Sequence, residues 1–257
     1  TEVAGVDMVH PVGGAQAIAA MAYGTETVRK VDVIVGPGNA YVAQAKQQVA
    51  GTVGVPSAFA GPSEVVVVAD GTSPAEFTAT DLVAQMEHGP GGISWLVTWD
   101  VAVADAVDVA LDRVLEDAPR GAEIAGTLAS SGHCVLVDDE QQALAVVDAI
   151  APEHLQLMVA APEALAERVR NAGAVFLGPW TPTSIGDYVA GPSHVLPTAG
   201  TARFAGALTV ADFTKDVNLV TADPDALRRL GPHVEALALA EGLDAHAESI
   251  RVRRQHG

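Results

Sequence analysis

Short runs of β-branched and aliphatic residues alternate along the chain with Ala-rich stretches whose apolar residues recur every three or four positions. Val12-Gly13-Gly14 reads as the entry to a helix. Asp32-Val33-Ile34-Val35 predicts a strand, followed by Gly36-Pro37-Gly38 and a helix from Asn39 to about Val49. Val65 to Val68 is a continuous apolar run, as a strand buried on both faces requires. Ser73-Pro74-Ala75-Glu76 predicts a capping box with Pro at the first helical position, and Gly89-Pro90 predicts the stop of that helix. Ile93–Thr98 predicts a strand. A helix from about Val101 to Glu116 carries the stripe Val103, Val107, Leu111 and Val114, and its row Asp105, Asp108, Asp112 and Glu116 reads as a solvated face. Strands over His133–Val137, Leu155–Val159 and Ala174–Leu177 alternate with helices over Gln141–Ile150 and Pro162–Ala172. This alternation predicts a layered α/β fold with a mostly parallel sheet.

The periodicity fails from Pro179 to Gly200, where Pro and Gly recur; a long irregular segment inside a compact domain is often functional. Beyond it, Asp223-Pro224 predicts a capped helix, Gly242 interrupts, and Asp244 is placed to cap a last helix through Ile250.

Composition narrows the class. At 257 residues and 49% hydrophobic, the chain has enough apolar material for a sizeable core and too much for disorder. Asp plus Glu is 32 against 14 Lys plus Arg, a net charge of −18, which repels phosphate backbones and argues against a nucleic-acid partner. No apolar stretch reaches the roughly 18 residues of a membrane helix. The single cysteine, Cys134, excludes an intrachain disulfide and fits a reducing, cytoplasmic compartment. It lies in an apolar strand, where a buried thiol is inert. The first residue is Thr1 and a helix entry follows almost at once, so a chain shortened at its N-terminus is expected.

Several short segments carry candidate chemistry. Asp81, Gln85 and His88 share one helix face, with Gln85 and His88 in the last turn. An imidazole one turn from an oxygen donor can bind a divalent metal; His88 could equally serve only the helix C-terminus. Glu153-His154 places a carboxylate and an imidazole immediately before a strand, a pairing suited to acid–base work. Gly186-Asp187-Tyr188 and Gly191-Pro192-Ser193-His194 lie in the irregular segment, and Glu241 and His246 flank the Gly242 break. Gly36-Pro37-Gly38-Asn39 is a strand–glycine–helix junction able to present N–H groups to an anion, although it is neither a Walker A nor a GxGxxG sequence.

Together with Val12–Ala20, Ala60-Gly61-Pro62-Ser63-Glu64 and His194-Val195-Leu196-Pro197-Thr198, these segments resemble the histidinol dehydrogenase family, in order and across the whole chain. The resemblance implies roughly 170 further residues at the N-terminus, about one more domain. It also implies an aldehyde-dehydrogenase-like layered fold with a small helical tail. Residues 1–64 would be the remainder of a cofactor-side domain, 65–205 an α/β domain with most of the active site, and 206–257 a dimerisation tail. The implied activity is zinc-dependent oxidation of L-histidinol to L-histidine, through the aldehyde, with two NAD. The implied zinc ligands are Gln85, His88, Asp187 and His246. His154 would be the base for the alcohol and Glu153 the activator of water. Ser63 and Glu241 would touch substrate, as would the ligands and the Glu153-His154 pair, and Gln16 and Asn39 would touch NAD. The implied assembly is a homodimer whose site takes Glu241 and His246 from the partner. The chain departs from the family's pattern at His10-Pro11, Ser193 and Lys215–Asn218, none of them an implied ligand or base. A sulfonated diol in place of histidinol, or an inactive structural role, are the competing readings.

Overall fold

The computed structural model describes residues 5–56 and 61–256, so Thr1 and Ala60 of the segments above lie outside the described residues. The chain divides into two compact units, Thr1–Phe213 and Thr214–Gly257. The first holds α1 (Gly14–Tyr23), α2 (Ala40–Val49), β1 (Glu64–Ala69), α3 (Ala75–Met86), β2 (Ile93–Thr98), α4 (Val101–Asp117), α5 (Gly121–Ser131), β3 (Gly132–Leu136), α6 (Glu140–Ile150), β4 (His154–Met158), α7 (Pro162–Ala166), β5 (Ala174–Leu177) and α8 (Thr183–Tyr188). The second holds α9 (Pro224–Ala240) and α10 (Asp244–His256). Among the described residues no helix is long and apolar enough to cross a membrane.

The five strands form one parallel sheet in the order β3-β2-β1-β4-β5. Every β1 residue is buried, as a central strand covered on both faces must be. Its side chains alternate between two cores. Val65, Val67 and Ala69 pack with Leu82 of α3 and Val103 and Val107 of α4. Val66 and Val68 pack with Ala143, Leu144 and Val147 of α6 and with Leu155 and Leu157 of β4. Helices therefore cover both faces, which is the layered α/β architecture that the alternation predicts.

The differences from the pattern have local causes. Asp32–Val35 is not a strand: only Val33 bridges Gly54, through Ile34 N–H to Gly54 and Gly54 N–H to Asp32. The capping box is not made, because Pro74 itself takes the N-cap position and no side chain caps the helix. Helix α3 stops at Met86, so His88 stands in the following turn rather than on the helix. Helix α7 ends at Ala166, not Ala172, because the Asp148 carboxylate draws the backbone N–H groups of Arg170 and Asn171 out of helical register at 3.0 and 3.1 Å. Helix α5 is not signalled by the pattern. It is held by one deeply buried side chain, Ile124, against Val83 and Met86. Within the irregular segment, α8 forms a short helix over Thr183–Tyr188. Cys134 is exposed on the edge strand β3 rather than buried; partial burial and the nearby Asp108 charge push its thiol pKa up, which disfavours the thiolate.

The second unit is a helical hairpin. Asp223 caps α9 through Ala226 N–H at 2.7 Å. Gly242, at φ 72, adopts the left-handed turn that breaks the helix. Asp244 is the first helical residue of α10 rather than its cap, since the Leu243 carbonyl receives the N–H groups of His246 and Ala247. Ala238 and Ala247 are buried between the helices, and Glu235 pairs with Arg254 at 2.6 Å and Arg251 at 3.7 Å.

Candidate functional site

Strands of a parallel sheet all start at one end, and the helices between them run the other way. The C-terminus of α3 therefore lies at the end where β1, β2, β4 and β5 begin. Gln85 lies in the last turn of α3, Ser63 immediately precedes Glu64 at the head of β1, and Glu153 immediately precedes His154 at the head of β4. This is the amino end of the sheet, opposite the carboxyl-end crevice where open α/β sheets usually bind ligands.

The residues meet there in a connected line. Ser63 Oγ donates to Gln85 Oε1 at 3.5 Å, and its carbonyl accepts Ile93 N–H at 3.1 Å. Glu64 N–H donates to Glu153 Oε2 at 3.2 Å, and the Glu64 carbonyl faces His154 Nδ1 at 3.2 Å. His154 Nδ1 lies 3.6 Å from Glu153 Oε2, and its Nε2 lies 3.7 Å from Asp187 Oδ1. Glu153 is 8% and His154 6% exposed, so the pair works in a low-dielectric setting where charge interactions are strong. A proton on Nδ1 is satisfied by the Glu64 carbonyl, which leaves Nε2 as the accepting nitrogen.

Two cavities open on this line. One, of about 180 Å³, is lined by Gly36, Pro37, Gly38, Ser63 and Glu153. The other, of about 200 Å³, is lined by His154, Phe176, Asp187 and Ser193. His194 and Leu196 line both. The Gly36 carbonyl is held from below by the Nζ of Lys46, a buried lysine whose pKa burial lowers. Asn39 caps α2, its amide oxygen accepting Tyr41 and Val42 N–H at 3.1 Å each, which leaves its amide NH₂ to meet a ligand. Gln16 is an exposed residue of α1.

The proposed metal donors are only partly gathered. Gln85 and Asp187 belong to the line of contacts, and the buried Gln85 Nε2 has no hydrogen-bond partner among the described residues. His88 is exposed in the turn beyond α3. His246 and Glu241 are exposed residues of the second unit. Among the described residues no three His, Cys, Asp or Glu side chains converge on a metal position. Of the donor types, the two imidazoles and the carboxylate are ordinary zinc ligands, and the Gln85 amide oxygen is an unusual one.

Three residues shape the site without any short-motif signal. Gln156, fully buried two residues along β4, lies beside Asp81 and donates to the Thr181 carbonyl at 3.5 Å, tying the strand to the segment that carries α8. Burial raises the Asp81 pKa. The Phe176 ring centroid lies 6.0 Å from that of His154, and an added Cβ on Gly186 would sit 2.6 Å from Phe176, so this ring sets how near α8 and Asp187 approach. Gly173 fits against the Glu153 carbonyl, where an added Cβ would sit 2.6 Å from the oxygen. Gly173→Ala is expected to destabilise the protein by about 1–3 kcal/mol, because backbone rather than a flexible side chain must move. Gly126→Ala, mid-helix in α5 with open space around it, should stabilise by about 0.5–1 kcal/mol. Thermal unfolding of the two variants, with midpoints moving in opposite directions, checks both.

Residues 1–254 match the sequence family described as histidinol dehydrogenase. The chain is 52% identical over 250 residues to the histidinol dehydrogenase of Cereibacter sphaeroides, covering 97% of this chain and 57% of that one. It is 51% identical over 257 residues to that of Rhodospirillum rubrum, covering 100% of this chain and 59% of the relative. The crystal structure of histidinol dehydrogenase from Elizabethkingia anophelis superposes with a TM-score of 0.93 at 36% identity, over 99% of this chain and 59% of that chain. The chain thus spans less than three fifths of the length of these relatives. With a profile matched almost end to end and half its residues shared with these relatives, the chain belongs to the histidinol dehydrogenase family.

Proposed function

We propose that the protein to which this chain belongs oxidises L-histidinol to L-histidine, through the aldehyde, with NAD, in histidine biosynthesis in the cytoplasm. The observation that carries the reading is the buried Glu153-His154 pair, each member facing one of two adjoining cavities. Family membership supports it independently.

In the first step His154 Nε2 takes the hydroxyl proton as the carbinol carbon loses hydride. In the second, Glu153 takes a proton from the water that adds to the aldehyde carbonyl, and the hydrate loses a second hydride. NAD, when bound, supplies the acceptor for each hydride. The Gly36-Pro37-Gly38 turn and the Asn39 amide NH₂ would meet it on the Glu153 side, with Gln16 as a further contact. Asp187 Oδ1 lies 3.7 Å from His154 Nε2.

Gln85, His88, Asp187 and His246 would hold a zinc ion. When bound there, zinc would supply a Lewis-acidic template for the substrate. Ser63 and Glu241 would complete the substrate pocket. With full-length protein, NADH should form with L-histidinol; NADH formation with a sulfonated diol alone would instead favour the family's other substrate class. A chelator should abolish turnover and zinc should restore it. Full activity in protein shown metal-free by elemental analysis would remove zinc from the reading.

A further inference from the structure

Glu64 opens β1 with only 5% exposure, and the steps above use its backbone but not its side chain. Its N–H holds Glu153 Oε2 at 3.2 Å and its carbonyl faces His154 Nδ1 at 3.2 Å. The Glu153 backbone N–H in turn faces the Glu64 carboxyl and favours its charged form. Backbone N–H groups of Gly200 and Ala199 also reach that carboxyl, while its Oε1 has no hydrogen-bond partner among the described residues. Ala199 stands at φ 54, a left-handed conformation that costs a non-glycine residue about 1–2 kcal/mol. The turn is pinned there by Gly61, whose N–H donates to Thr198 Oγ1 at 2.6 Å. The charged groups around Glu64 are Glu153 and His154 from β4 and Arg203, which donates to the Gly200 carbonyl at 2.9 Å. Burial first, and then the Glu153 charge, push the Glu64 carboxyl pKa up against the pull of the N–H groups. Two carboxyls clasped in one buried site do not both ionise without a large cost.

We propose that Glu64 is a positioning residue for the aldehyde step: as the neutral member of a carboxylic acid–carboxylate pair, it leaves the single negative charge on Glu153 and holds that carboxylate toward the cavity. The inference rests on the reading of Glu153 as the water-activating base.

The test is steady-state kinetics of the full-length enzyme with L-histidinal and NAD across pH, for Glu64→Ala, Glu64→Gln and Glu153→Gln. Glu64→Ala breaks the clasp and should lower kcat about 10-fold or more, with the KM for NAD nearly unmoved. Glu64→Gln is permanently neutral and nearly isosteric. It should recover most of that loss and keep the acid limb of kcat/KM at the wild-type position. An acid limb displaced downward by about one pH unit or more in Glu64→Gln would show that Glu64 is ionised in the working enzyme, and overturns the proposal. So would wild-type kinetics in Glu64→Ala, or Glu64→Gln as slow as Glu64→Ala. If Glu64→Ala fails to fold, the Glu64→Gln profile decides alone. Full aldehyde turnover in Glu153→Gln would overturn the base assignment and this inference with it; a slow Glu153→Gln beside a displaced Glu64→Gln profile overturns only the role of Glu64.

Discussion

His154→Asn in the full-length protein should slow oxidation of L-histidinol by about 10²–10⁴-fold, the usual share of a positioned acid–base group. Oxidation of L-histidinal, whose carbonyl has no hydroxyl proton to lose before water adds, should fall far less. The split follows from the geometry. Asn can still donate to the Glu64 carbonyl, the interaction His154 makes through Nδ1 at 3.2 Å, but it has no basic nitrogen at the Nε2 position. The fold is preserved because His154 sits at the head of β4 and pairs with Val65 through its backbone. Glu153→Gln should show the opposite pattern. The amide still accepts Glu64 N–H but takes no proton from water, so the aldehyde step slows and the alcohol step is largely kept. Separate assays on the two substrates check the assignment. Equal, small losses in both steps for both variants would show that neither residue moves the proton given to it.

That end of the sheet also shows how far the chain's pattern reaches. β1 is legible from Val65–Val68 because burial on both faces leaves an unbroken apolar run. α4 is legible because Val103 and Val107 face the core while Asp105 and Asp108 face water. Asp32–Val35 has the composition of a strand but not the pairing, since a strand needs a partner along its length and only Gly54 bridges Val33. α5 is the reverse case: Gly121–Ser131 is rich in small and hydroxyl residues, and its place is secured by the burial of Ile124 in a tertiary contact. At the site, Glu153-His154 is readable as a dipeptide with acid–base character. The contact of the Glu64 N–H with Glu153 is not, because it joins residues 89 positions apart. Phe176 and Gly173 escape for the same reason: each matters through what folding brings beside it.

His88→Ala and His246→Ala should each be inactive alone, and mixing the two full-length proteins should restore about a quarter of wild-type activity if His246 serves the partner's site. The arithmetic is that of random pairing. Half of the dimers formed from equal amounts are mixed, and each mixed dimer has one doubly damaged site and one intact site. If His246 serves its own chain, every site carries one defect and mixing restores nothing. One observation favours exchange. The hairpin that carries His246 leaves Leu230, Val234 and Leu237 exposed at helical spacing along α9, an apolar stripe that a soluble hairpin would cover by docking. A site completed by two chains couples zinc binding to assembly, because a ligand that binds only the associated form stabilises that form. If the site is shared in this way, removal of zinc should move a dimer of the full-length wild type toward monomer in sedimentation, and His246→Ala should act in the same direction. An unchanged dimer in both, together with no recovery on mixing, would place the tail against its own subunit.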